Sequence, residues 1–236
     1  MSIFKKLFSK ANEPQENFSE GDIFYTFFDN HYHFYKLLKE DIELDTYHVL
    51  TYKPVAQLPN KDKIGELDIL VYHSPIAKTG FEGTKFFSNS VLTDNDFIGY
   101  YEYLRQTQNI KELVSIANKY YKEAHRLTDL KQHEKAIENY TKAIELIPNF
   151  YEAIDNRAFC SMDLGKWTDA IEDFKLSLSV NPKSLLAEFS IGECFFKMGD
   201  YKNAIKQFQK AIDIDPAHQA PRDFLKKAID LDNEKK

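Results

Sequence analysis

The apolar positions of this 236-residue chain follow two different rhythms. Between residues 21 and 109, aromatic and β-branched side chains crowd into short runs broken by turn residues. Asp22–Phe28, His31–Glu40 and Thr46–Lys53 predict three strands of an antiparallel meander, the first two joined tightly at Asp29-Asn30. Pro54 and Pro59 break that pattern. Leu67–His73 is a short apolar run that fits a strand or a helix, and Lys85–Phe87 suggests a further strand. Thr93 or Asp94 is placed to cap a helix running through Tyr100 and Tyr101. From about Lys111 the apolar residues instead recur at helical spacing, in paired segments separated by short polar turns. The boundary falls near Asn109, giving a segment 1–20, a β-rich domain 21–109 and a helical domain 110–236.

The helical half is periodic. Pro148, Pro182 and Pro216 are spaced by 34 residues, and Ala136, Ala170 and Ala204 keep the same step. An aromatic follows each alanine by four (Tyr140, Phe174, Phe208), and a small residue precedes it by twelve (Ala124, Ala158, Gly192). Small residues let two helices approach closely, and each proline stops a second helix. One such hairpin cannot bury its apolar face alone, so the units must stack. Units are expected at 117–150, 151–184 and 185–218. A capping helix over 219–232 would present Phe224, Leu225, Ala228 and Ile229 to the last unit.

This pattern resembles the tetratricopeptide repeat family over about half the chain. The third unit, with Ile191, Gly192 and Phe195 followed by MGDYKNAIKQFQKAIDIDP, carries the likeness best. The first departs from it, with Glu123 in the usual leucine place and Lys131 in the usual glycine place of the turn. The resemblance implies an α+β protein, an all-α solenoid of three hairpins plus a cap preceded by a small β-rich domain. It also implies that the first helix of each hairpin lines a concave groove that holds a protein or peptide. The inward triplets are then Tyr121–Asp155–Phe189, His125–Phe159–Glu193 and Thr128–Met162–Phe196, with Asn118, Asn156 and Ser190 as polar neighbours. Their aromatics could equally pack against the cap or the N-terminal half. Family members that clamp a chaperone's carboxylate tail use lysines, an arginine and asparagines on this face. Here Asn156 matches, but Tyr121, His125, Leu186 and Ser190 occupy the other places, which argues against a chaperone-tail adaptor.

GDIFYTFF and the tyrosine-rich hairpin after it are faintly similar to small β-barrels of bacterial toxin-immunity proteins. An immunity protein is therefore an alternative to a binding or scaffolding module, and an enzyme housed in the N-terminal domain is a third reading.

Charge narrows the partners. Residues 1–110 carry 11 basic and 16 acidic side chains, and residues 111–236 carry 20 and 21. Neither half has the basic excess that a phosphate backbone requires, so nucleic acid is not expected. No apolar run is long enough for a membrane span. Lys5 and Lys6 interrupt the apolar start, which makes a poor signal peptide and leaves Ile3, Phe4, Leu7 and Phe8 to form a docked or frayed helical turn. Cys160 and Cys194 lie one period apart and read as small buried hydrophobes in a reducing, cytoplasmic setting.

Catalytic and metal motifs are missing: there is no Walker loop, HExxH, CxxC or G-x-S-x-G. His31 and His33 share a strand face, a spacing open to a metal, but no third ligand accompanies them, since His48 and His73 are distant in sequence. Asp68, His73 and Ser74 make a catalytic set on paper with nothing to orient them. The chain is read as non-catalytic, with no cofactor and no metal.

Overall fold

The computed structural model describes residues 17–234, so the expected turn at Ile3, Phe4, Leu7 and Phe8 lies outside the described residues. The chain divides into two compact units, Met1–Asn109 and Ile110–Lys236.

The first unit is built on an antiparallel sheet. Its strands are β1 (Asp22–Phe28), β2 (His31–Asp41), β3 (Thr46–Tyr52), β4 (Ile69–Ala77) and β5 (Lys85–Asn89), in the order β4-β3-β2-β1-β5. Asp29 and Asn30 both take positive φ, 51° and 60°, the conformation a two-residue hairpin demands. The meander register pairs Tyr25 with Phe34 and Leu37 with Val49. The ambiguous run at Leu67–His73 resolves as the edge strand β4, paired to β3. With β4 and β5 both at edges the sheet is open, unlike the small closed barrels to which its opening run is faintly similar.

Alternation gives both sheet faces a core. On one face Phe24, Leu37, Tyr47 and Val49 gather around Phe18 and Phe81. On the other, Phe34 meets Phe87, and His48 meets Tyr100 of helix α1 (Ile98–Gln106). Thr93 caps the lead-in to α1 in a reciprocal capping box with Asp96. Asp96 also accepts from Lys36 Nζ at 2.9 Å, with both side chains largely buried. Burial opposes ionisation of Asp96, but the Thr93 and Lys36 donors outweigh it and hold its carboxyl below the usual range.

The second unit consists of α2 (Ile110–Asp129), α3 (His133–Leu146), α4 (Tyr151–Asp163), α5 (Trp167–Val180), α6 (Leu185–Lys197), α7 (Tyr201–Ile214) and α8 (Gln219–Glu234). The proline period sets the helix ends. Ile147, Asn181 and Asp215 precede the three prolines and are extended, with ψ of 90°, 82° and 93°, so α3, α5 and α7 each stop one residue earlier. Each helix packs on the next in chain order, and α2 also touches α4, as α6 touches α8. The result is a stack of hairpins, with α2, α4, α6 and α8 as one layer and α3, α5 and α7 as the other. Ala124, Ala136, Ala158, Ala170 and Ala204 are fully buried where helices cross. At Gly192 an added Cβ would stand 2.5 Å from the Phe208 ring, so α6 and α7 meet at a distance only glycine permits.

Candidate functional site: the inward face of the first helices

The aromatic residues of the two layers differ in burial. Tyr140, Phe174 and Phe208 of the second helices are at most 1% exposed and form the core of each hairpin. Tyr121, Phe159, Phe189 and Phe196 of the first helices are only partly buried, each with one face on that core. Phe159 meets Phe174 edge-on at 5.2 Å, and Tyr121 lies 5.8 Å from Tyr140 and 4.9 Å from Phe150. Met162 joins Phe159 on the second hairpin's cluster. Asn156 Nδ2 donates to Tyr121 Oη over 3.0 Å and ties α4 to α2.

The cap narrows this surface at one end. Phe224 of α8 packs edge-on against Phe189 at 5.4 Å and Phe196 at 5.8 Å. The expected inward set therefore splits into two groups. Phe189 and Phe196 share their surface with the cap, whereas Tyr121, His125, Asn156, Phe159 and Met162 make no ring contact with it.

The charged members behave differently again. His125 is exposed, 3.4 Å from Asp129. Asp155 is only 7% exposed, and its Oδ1 has no hydrogen-bond partner. Burial pushes its carboxyl above the usual carboxylate range, with Ser177 opposing and Glu152 adding to the effect. Glu193 is raised as well, by burial, against the opposing charge of Lys197. Cys160 and Cys194 are buried free thiols, and burial pushes Cys194 up to about 12. Neither thiol ionises near neutrality, so neither has the makings of a nucleophile.

In the β-rich unit the paper sites dissolve. His31 Nδ1 lies 2.8 Å from the Asp29 carbonyl oxygen, and His33 stacks on Phe28. Asp68 pairs with Lys53 at 3.0 Å, and His73 turns to His48 rather than to Ser74. Among the described residues no group of three or more His, Cys, Asp or Glu side chains is placed to hold a metal.

Sequence reasoning missed the His48–His73 pair, whose ring nitrogens lie 2.8 Å apart beneath Tyr100 and Tyr103. Its signal is the strand register: His48 pairs with Pro75, which puts His73 diagonally beside it on the same face.

Two models of the tetratricopeptide repeat match the chain, at residues 117–150 and 186–218. No curated protein matches it. Similar solved structures include the Sgt2 repeat domain from Aspergillus fumigatus, at 28% identity over 50% of this chain and 80% of that one, with a TM-score of 0.46. The Hsp90 co-chaperone Cns1 from Saccharomyces cerevisiae is 25% identical over 52% of this chain and 41% of that one, with a TM-score of 0.49. The first repeat domain of Spaghetti (RPAP3), bound to an HSP90 peptide, is 20% identical over 50% and 93%, with a TM-score of 0.47. The C-terminal half of the chain carries tetratricopeptide repeats. Among the described residues no helix is long and apolar enough to cross a membrane.

Proposed function

We propose that this protein, through the tetratricopeptide repeats of its C-terminal half, is a non-catalytic binding or scaffolding module whose concave face holds a protein or peptide segment. The observation that carries the reading is the split in aromatic burial. The second-helix rings are sealed in the core, while Tyr121, Phe159, Phe189 and Phe196 stay only partly buried on the first helices. Half-exposed aromatics beside Met162 are the residue types that anchor a bound chain. The proposed contact set is Tyr121, His125, Asn156, Phe159, Met162, Phe189, Glu193 and Phe196, with the last cluster sharing its surface with Phe224. The clamp positions Tyr121, His125, Leu186 and Ser190 offer no lysine or arginine, so an acidic chaperone tail is not the proposed ligand. The proposed setting is the cytoplasm, which suits two buried free thiols.

The test is affinity capture from the native cell with the full chain and with Phe159→Ala, read by quantitative mass spectrometry. Circular dichroism would show that the variant is folded. The expected result is loss of a specific partner from the variant. Equal capture by both proteins contradicts the reading.

A further inference from the structure

The sheet of the first unit ends unevenly at the β1–β2 hairpin. Strand β5 reaches only as far as Lys85, opposite Tyr25, whereas β1 runs on through Phe27 and Phe28. The two-residue turn makes Phe28 and His31 the hydrogen-bonded pair, so Phe27 and Tyr32 turn their backbone groups away from each other. Tyr32 shows this directly. Its N–H donates to the Val55 carbonyl at 2.8 Å, and its carbonyl accepts from the Val55 N–H at 3.1 Å. On the opposite side the N–H and C=O of Phe27 point into the line that β5 has left, and neither has a partner among the described residues. The chain leaves that line beside Gly83, where φ is 75° and an added Cβ would touch nothing.

A cavity of about 390 Å³ lies in this notch, lined by Tyr25, Thr26, Phe27, Tyr32, Gly83 and Lys85. Phe27 is 53% exposed, and its ring lies 4.7 Å from that of Tyr32. Lys85 is the charged member of the lining; it is exposed and has no ion-pair partner among the described residues. Glu82 and Asp29 stand close to the lining positions in sequence but do not line the cavity.

Strand direction decides what fits. A segment pairing antiparallel to β1 in the vacant line runs the same way as β5, toward Lys85. It cannot run on past Lys85, because β5 holds that place. A chain that ends there brings its terminal carboxylate toward the Lys85 ammonium. The rungs of Phe27 and Tyr25 are about 7 Å apart, within reach of a lysine stem.

We infer that this notch captures the C-terminal end of a polypeptide by strand addition. A residue near that end exchanges main-chain hydrogen bonds with Phe27, its apolar side chain rests on the Phe27 and Tyr32 rings, and the carboxylate pairs with Lys85. The notch is a second binding surface, independent of the repeat groove. One lysine with acids just outside suits a single carboxylate and disfavours a polyanion.

The test uses pools of fluorescein-labelled octapeptides, degenerate except for leucine at the last two positions. One pool ends in a free acid, one in an amide, and one is a free acid N-methylated at both leucines. Binding to the full chain is read by fluorescence anisotropy. The free-acid pool should bind about tenfold or more tighter than the other two. Lys85→Gln should bring it down to the amide level, and Phe27→Ala should weaken it about three- to tenfold. Both side chains are exposed, and circular dichroism would show each variant folded. Phe159→Ala in the repeats should leave this binding unchanged. Equal binding of acid and amide overturns the inference. Equal binding of the N-methylated pool also overturns it, since that marks a site for free carboxylates without strand pairing. An acid preference that survives Lys85→Gln and is lost in Phe159→Ala places the site in the repeat groove and overturns it as well. Failure of all three pools does the same, and dimerisation of the full chain that Lys85→Gln abolishes would then assign the notch to a second copy.

Discussion

Asn156 donates its amide hydrogen to the phenolic oxygen of Tyr121 over 3.0 Å, joining the first helices of two successive repeats. Both groups are half-buried, so the bond spans the floor of the proposed groove without being sealed from water. Tyr121→Phe keeps the ring packing on Tyr140 and Phe150 and removes the acceptor. The expected loss is about 1 kcal/mol, read as a lower urea midpoint with an unchanged slope. No change in midpoint would mean that the two helices are held by apolar contact alone.

The first repeat departs from its siblings at the turn between its helices. Lys131 takes φ 58°, where Gly165 and Gly199 take 71° and 74°. A side chain in that left-handed region costs about 1 kcal/mol or more, partly offset by the greater freedom glycine has when unfolded. Lys131→Gly is expected to raise stability by about 0.5 kcal/mol. A lower melting temperature in this variant would show that Lys131 makes a compensating contact.

Gly192 against Phe208 gives a prediction of the opposite sign. Gly192→Ala forces a methyl onto the Phe208 ring and separates α6 from α7. Overpacking of this kind costs about 1–3 kcal/mol. Gly192→Ala combined with Phe208→Leu should recover part of the loss, and the absence of any recovery would locate the damage elsewhere.

The His48–His73 pair makes the β-rich unit acid-sensitive. His48 Nε2 faces Asp41 at 4.0 Å, which favours the proton there and leaves His48 Nδ1 to accept from His73 Nε2–H. Burial first, and then His48, pull His73 down to about 4; burial and Lys39 lower His48 against the pull of Asp41. An unfolded histidine titrates near 6.5, so between about pH 6.5 and 4 the unfolded chain binds more protons. Stability therefore falls as pH drops through that window, by no more than about 3 kcal/mol for His73, and is flat above it. NMR titration should place the His73 midpoint near 4. His73→Gln should flatten the pH dependence of the urea midpoint. A midpoint near 6.5 would contradict the burial account.

The two units differed in how much their residues disclosed. In the repeats the period carried the fold, because the prolines and small residues that punctuate it act locally on helix ends and helix approach. The strands at Asp22–Phe28 and Thr46–Tyr52 were equally legible from their aromatic runs and turns. The apolar run at Leu67–His73 was ambiguous, since β4 is an edge strand whose pairing with β3 decides its form. The same pairing hid the two histidines, which are 25 residues apart in the chain. For the proposed contact residues, sequence spacing put each on a first helix of its repeat, α2, α4 or α6, but did not give the depth of each side chain. Asp155 is buried and Phe189 is shared with Phe224 because of how neighbouring helices pack, which a period cannot encode.

The central claim is that the inward face of the first helices is where a partner binds. The most direct measurement replaces Phe159 with the photo-crosslinking residue p-benzoylphenylalanine in the full chain in its native cell. A control places the same residue at Glu172, an exposed position on the second-layer helix α5. The account expects a discrete protein adduct from position 159 on illumination, absent from position 172. An adduct from position 172 alone, or the same adduct from both, would contradict it.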